Sequence, residues 1–146
     1  MDRKKIRQGF TLIELLLVLV ILASLAAIVV PKFANRTKQA KETQAITQIS
    51  NFDSALDTFE LDLGRYPTTM EGLDALVTKP SGLDMEKWPE PYLKQGVPLD
   101  PWGSEYQYRY PGQKNEYGYD LYSFGPDGRE GGDDDIDNWT NDRDKK

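Results

Sequence analysis

Residues 2–33 read DRKKIRQG-FTLIELLLVLVILASLAAIVV-PKF, and an otherwise apolar run from Phe10 to Val30 carries one carboxylate, Glu14. At about 1.5 Å per residue that run makes a helix of roughly 30 Å, enough to cross a bilayer. Arg3, Lys4, Lys5 and Arg7 precede it and stay cytoplasmic under the positive-inside bias, so the rest of the chain lies outside. Two simple identities fit such a segment. One is a cleaved secretory signal, with Ser24-Leu25-Ala26 as a small-x-small site before Ala27. The other is a plain N-terminal anchor. Neither uses Glu14, whose charge only weakens insertion.

A third identity does use it. A cut between Gly9 and Phe10 creates an α-amine at Phe10, cationic at neutral pH because its ordinary pKa is about 8. Glu14 lies one helical turn away on the same face. In lipid a carboxylate and an ammonium each need a partner. The pair can form within one chain or between neighbours, and in the second case the buried charge sets a docking register.

Gly9-Phe10-Thr11-Leu12-Ile13-Glu14, with its basic leader and following apolar run, resembles the prepilin cleavage and methylation motif of type IV pilins and type II secretion pseudopilins. The resemblance implies cleavage after Gly9 by a prepilin peptidase, N-methylation of Phe10, and a Glu14 that docks on a neighbour's N-terminus.

Composition agrees with a small exported subunit. The chain has 146 residues, no cysteine, no histidine and a net charge of -6. Beyond the anchor there is length for one soluble domain of about 110 residues. Without cysteine there is no disulfide framework. Without histidine the commonest general base and zinc ligand are missing, and no acid, base and nucleophile form an enzymatic set. The basic leader is lost on cleavage, so the exported part is more acidic still. That excludes nucleic acid, whose binding rests on a basic surface.

Pro31 lies within a helical pattern and is expected to kink or locally open it. The pattern resumes with Ile46, Ile49, Phe52, Leu56, Phe59 and Leu63, one apolar stripe on an amphipathic helix that faces a core. Gly64 and Pro67 stop it. Thr68 and Glu71 form a capping box ahead of a short helix with Leu73, Leu76 and Val77 on its apolar side, closed by Lys79-Pro80. A Pro- and Gly-rich loop follows from Pro80 to Pro98, anchored by Trp88 and Tyr92. Asp100-Pro101-Trp102-Gly103 is a tight turn. Tyr106–Tyr110 and Tyr117–Leu121 alternate with period two, and Pro111-Gly112 opens the connection between them, which predicts an antiparallel hairpin packed on the long helix. The fold class is therefore α+β.

Phe124 to Trp139 reads FGPDGREGGDDDIDNW. Its carboxylates repel one another unless a cation or solvent separates them. Hard oxygen ligands in a flexible loop suit Ca²⁺. An EF-hand nearly fits, with Asp133, Asp135 and Asp137 in its first acidic places, but Asn138 stands where Gly is required and Asp144 where the bidentate Glu belongs. A solvated acidic tail is the alternative, and it suits Asn141–Lys146 best.

Arg65-Tyr66-Pro67-Thr68-Thr69, Glu71-Gly72-Leu73, Asp100-Pro101-Trp102-Gly103, Gly125-Pro126-Asp127-Gly128 and Asp134-Asp135-Ile136 with Asn138-Trp139 together resemble the major pseudopilins of type II secretion, the general secretion pathway protein G family. The resemblance covers nearly all of residues 8–139. It implies a pilin-like fold, a long N-terminal helix packed on a small antiparallel sheet, with a C-terminal calcium loop. It divides the chain into a cleaved leader (1–9), a membrane and assembly helix (10–30) and a periplasmic domain (31–146). Within that domain come an amphipathic helix (31–63), a short helix and loop (64–103), a hairpin (104–123), the calcium loop (124–139) and a tail (140–146). It also implies an inner-membrane precursor that polymerises with itself into a periplasmic filament and pushes folded proteins through an outer-membrane secretin. Minor pseudopilins, an inner-membrane assembly platform and the prepilin peptidase are the implied partners. The implied Ca²⁺ ligands are the side chains of Asp127, Asp134 and Asp135 and the carbonyls of Phe124, Arg129 and Gly132. Asp137, where Gly is usual, and the extra residues Thr140–Lys146 depart from the family. A type IV or competence pilin shares the N-terminus, but often carries a C-terminal cysteine pair that is missing here.

Overall fold

The computed structural model describes residues 9–83, 88 and 91–140, with backbone only at 30–34. The leader before Gly9 and the tail from Asn141 on lie outside the described residues. The chain divides into two compact units, Met1–Gln39 and Ala40–Lys146.

One helix, α1, runs from Leu12 to Leu63. In the first unit it contains Leu12–Val29, a stretch of mean hydropathy 3.0 with no part of it buried, long and apolar enough to cross a membrane. Leu15, Leu19 and Ile28 stand 55–64% exposed, the state of a segment whose partner is lipid or other helices. Helical backbone continues through Pro31, so the local opening expected there is not found.

In the second unit α1 turns one stripe inward. Ala45, Ile49, Phe52, Ala55, Leu56 and Phe59 are buried. The stripe differs from expectation at its start, because Ile46 is 49% exposed and Ala45 is fully buried. Spacings of three and then four back from Phe52 lead to Ile49 and Ala45, and a neighbour one position on points about 100° away. Gly64 N–H closes the helix on Glu60 O at 2.7 Å.

The expected short helix after the capping box is a single 3₁₀ turn, Leu73–Leu76. The box itself forms: Glu71 Oε2 accepts Thr68 N–H (2.7 Å) and Thr68 Oγ1 accepts Glu71 N–H (3.2 Å). Trp88 is buried and donates from Nε1 to Ala75 O at 3.3 Å, the anchor expected of it. Tyr92 packs against Phe59 with ring centroids 5.3 Å apart and donates its hydroxyl to Asp62.

The sheet has three strands in the order β1 (Gln107–Arg109), β2 (Asp120–Ser123) and β3 (Ile136–Asp137), all antiparallel. Tyr108 faces Leu121 across β1 and β2, and Ser123 faces Ile136 across β2 and β3. The hairpin is thus present, with its second strand starting at Asp120 rather than Tyr117. Strand β3 adds to it. The sheet packs on α1 through Phe52 and Tyr106, whose rings meet edge to face at 5.1 Å, and through Tyr119, whose hydroxyl donates to Asp53 Oδ1 at 2.7 Å. Burial first, and then that bond, raise the Tyr119 pKa, so the phenol stays neutral and remains a donor.

Candidate functional site

Two regions carry functional chemistry, and each lies in its own unit. At the start of α1, Phe10 is 85% exposed and Glu14 is exposed in the first turn. Glu14 Oε2 accepts both the N–H of Thr11 (2.8 Å) and its hydroxyl (2.9 Å), and Thr11 Oγ1 accepts Glu14 N–H (3.3 Å). Thr11-x-x-Glu14 is therefore a capping box, missed in the sequence because the charge drew attention and the spacing did not. The helix start is satisfied by the same side chain that stands out as a lone acid. A carboxylate offers about four lone-pair sites, so two bonds from Thr11 leave acceptor capacity for a further donor.

The second region is the loop from Phe124 to Trp139. It begins with a 3₁₀ turn, Gly125–Asp127, and Phe124 just ahead of it meets Tyr122 of β2 edge to face with ring centroids 5.7 Å apart. Asp127 Oδ1 accepts Arg129 N–H at 2.8 Å, and Asp127 N–H donates to Asp134 Oδ2 at 3.3 Å. Asp135 Oδ2 accepts Gly131 N–H at 2.9 Å. Asp135 Oδ1 is buried with no hydrogen-bond partner. Burial first, with repulsion from Asp134, Asp127 and Asp137, raises the Asp135 pKa from its ordinary value against the Gly131 hydrogen bond that lowers it. Asp134 is clasped by two glycines. A Cβ on Gly125 would collide with the Asp134 carbonyl oxygen, and one on Gly132, at φ 123°, would come within 2.8 Å of Asp134 Oδ1.

The structure thus brings Asp127, Asp134 and Asp135 into one loop. Among the described residues no three carboxylates converge as a finished metal cage. The donor chemistry nevertheless fits a hard divalent cation. The side-chain oxygens are carboxylate, one of them is buried and unpaired, and two glycines make the room that Asp134 needs. Beside the loop a groove of about 750 Å³ is lined by Glu130, Asp133, Asp135 and Asp137 together with Arg109, Tyr122 and Trp139.

Asn138 has a role beyond its place in a motif. Its Oδ1 accepts Leu121 N–H (3.0 Å), its Nδ2 donates to Tyr119 O (3.2 Å) and its backbone N–H donates to Leu121 O (3.0 Å). One asparagine therefore ties the end of the loop to β2. The Asn-Trp pair following Ile-Asp was the available signal, but nothing local says that an amide continues a ladder.

Residues 32–139 match the family model described as type II secretion system protein G, and residues 4–30 match the prokaryotic N-terminal methylation motif. The chain is 50% identical to the type II secretion system core protein G of Pseudomonas aeruginosa, over 97% of this chain and all of that one. It is 43% identical to the core protein G of Vibrio cholerae, over 94% of this chain and 96% of that one. The crystal structure of the major pseudopilin from the type 2 secretion system of enterohaemorrhagic Escherichia coli is similar at TM-score 0.59 and 39% identity, covering 76% of this chain and 96% of that one. The length of these matches, spanning the apolar helix, the sheet and the acidic loop, shows that this chain belongs to the type II secretion system protein G family.

Proposed function

We propose that the chain is the structural major subunit of a type II secretion pseudopilus. It is made as an inner-membrane precursor, cut between Gly9 and Phe10 by a prepilin peptidase, and N-methylated at Phe10. Phe10–Val30 anchors it while the remainder faces the periplasm. It polymerises with copies of itself, with minor pseudopilins and an inner-membrane assembly platform as further partners. Growth of the filament drives folded proteins across the outer membrane. The role is structural rather than catalytic.

Glu14 carries this reading: a carboxylate at the head of a fully exposed apolar helix, capped in cis by Thr11. Within a filament its remaining lone pairs accept the Phe10 ammonium of a neighbour, which spares both charges an unpaired place in lipid. Crosslinking of subunits in membranes, with insertion checked in parallel, tests it. Glu14→Leu makes the segment more apolar, so insertion is expected to be normal and crosslinked ladders to be lost. Glu14→Gln keeps an acceptor for Thr11 and loses the charge, so its ladders are expected to fail as well. Normal ladders from Glu14→Gln would reduce Glu14 to a helix cap.

The C-terminal loop takes Ca²⁺, held by the side chains of Asp127, Asp134 and Asp135 with the carbonyls of Phe124, Arg129 and Gly132. The buried, unpaired Asp135 Oδ1 supports this. The ion supplies positive charge among mutually repelling carboxylates. A ligand that binds only the folded form stabilises it by about 2.7 kcal/mol at a hundred times Kd. Thermal melts of a fragment from Lys32 onward test it: EDTA is expected to lower the wild-type Tm and to leave Asp127→Ala unmoved. A wild-type Tm indifferent to EDTA would make the loop a solvated acidic surface.

A further inference from the structure

Asp127-Gly128 is the one Asp-Gly pair in the sequence, and no Asn-Gly occurs. The pair lies where the 3₁₀ turn ends. Asp127 and Gly128 are both exposed. Gly128 is left-handed at φ 67°, ψ 25°, and nothing lies within 4 Å of where a Cβ would stand. The flank of Gly128 where a side chain would stand is therefore open. The hydrogen bond from Arg129 N–H to Asp127 Oδ1, at 2.8 Å, turns the carboxyl toward the chain ahead of it, the side on which that nitrogen lies. The other carboxylates of the loop lack this combination. Asp133, Asp134, Asp135 and Asp137 precede residues with side chains, Glu130 before Gly131 would have to close a six-membered imide, and outside the loop Asp100 precedes Pro101, which has no N–H.

We infer that Asp127-Gly128 is a site of spontaneous backbone modification, converting Asp127 to isoaspartate through a succinimide. The Gly128 nitrogen attacks Cγ of the Asp127 carboxyl. The carboxyl's hydroxyl and the amide hydrogen leave as one water, and a five-membered imide closes. Water then adds back at one of its two carbonyls. Opening at one restores aspartate. Opening at the other leaves the main chain running through Cγ, one methylene longer, with the carboxylate on Cα. Neither an oxidant nor a cofactor is required. The product loses the Asp127 carboxylate as now placed, with its bond to Arg129 N–H, and lengthens the turn that Gly125 packs against Asp134. Conversion therefore disables the loop of a subunit as it ages.

The inference does not rest on Ca²⁺ binding, and the test separates the two. The full-length protein in detergent is aged at neutral pH, in EDTA and in excess Ca²⁺. Isoaspartate is read by labelling with an isoaspartyl methyltransferase and by electron-transfer fragmentation of the peptide holding residues 124–131. Isoaspartate is expected to accumulate at 127 and at no other aspartate, with a transient species lighter by one water. In Asp127→Glu the imide would be six-membered and close slowly, so the signal is expected to vanish. A synthetic peptide of residues 124–131 serves as the reference. If the peptide isomerises and the protein keeps a normal linkage at 127 in EDTA, the inference is overturned. Isoaspartate confined to other positions overturns it equally. Equal accumulation with and without Ca²⁺ upholds the modification and counts against an ion in the loop.

Discussion

The hydroxyl of Thr69 donates to the carbonyl oxygen of Tyr110 at 2.9 Å and accepts the Tyr110 N–H at 3.0 Å. A single side chain thereby serves both backbone groups of the residue that follows β1, an outer strand of the sheet. Tyr108 adds a bond from its hydroxyl to Pro67 O at 2.8 Å. Arg65 and Glu71 brace the turn from the other side with a two-point ion pair at 2.7 and 2.8 Å. The Arg-Tyr-Pro-Thr-Thr segment is thus a clasp between the end of α1 and the sheet.

Removing the Thr69 hydroxyl while keeping its shape tests the clasp. Thr69→Val is expected to cost about 1 kcal/mol, because two backbone groups trade a protein partner for water. The urea midpoint of the fragment from Lys32 onward should fall with no change in m. An unchanged midpoint would mean that solvent serves Tyr110 equally well.

The inward stripe of α1 makes a paired expectation. Leu56 is fully buried, so Leu56→Ala should cost about 2–5 kcal/mol. Ile46 is half exposed, so Ile46→Ala should stay within about 0.5 kcal/mol. Equal losses at the two positions would restore Ile46 to the core and contradict the observed face.

Glu71 sets a pH window. The hydrogen bonds from Arg65, ahead of those from Thr68, hold its carboxyl down to about 2, against roughly 4.3 in an unfolded chain. Because the folded value is depressed, the stabilisation is fully present above pH ~4.3 and is lost as pH falls toward about 2. Glu71→Gln is expected to be less stable than wild type at neutral pH, and the gap should close across that window. High salt should narrow the gap, since Arg65 is partly exposed and screened. A gap independent of pH would assign the loss to packing instead.

Asp120 organises the hairpin connection. It is 4% exposed, and its two oxygens accept the N–H groups of Gln113, Lys114 and Asn115 at 2.6 to 3.1 Å. Burial alone would raise its pKa, but those donors and Arg109 outweigh burial and lower it. Asp120→Asn presents one acceptor oxygen to three donors, so a loss of about 1–3 kcal/mol is expected at neutral pH, read by chemical denaturation. A neutral outcome would show that the connection reorganises freely.

The features legible in the sequence are those with strong local periodicity or fixed turn chemistry. The apolar run, the stripe through Ile49, Phe52, Leu56 and Phe59, the Thr68–Glu71 box and the Trp88 anchor all follow from spacing and residue type. The missed features depend on distant partners. Strand β3 is two residues long, set between Asp135 and Asn138, and exists because Ile136 pairs with Ser123. Asn138 acts through Tyr119 and Leu121, and Asp120 through N–H groups five to seven residues away. Glu14 was legible as an anomaly, but its bond to Thr11 was not, because a charge in an apolar segment suggests an external partner first. The loop carboxylates were legible as a cluster. The unpaired Asp135 Oδ1 and the Gly125 and Gly132 contacts with Asp134 needed coordinates.

The mature N-terminus decides between a pseudopilin, an exported protein and a plain anchored one. Intact-mass spectrometry of the protein taken from membranes of cells that carry a prepilin peptidase reads it in one step. A chain that begins at Phe10 and carries one added methyl group is expected. A chain cut after Ala26, or one that keeps residues 1–9, would contradict the assignment of Glu14 as the partner of a new amine at Phe10.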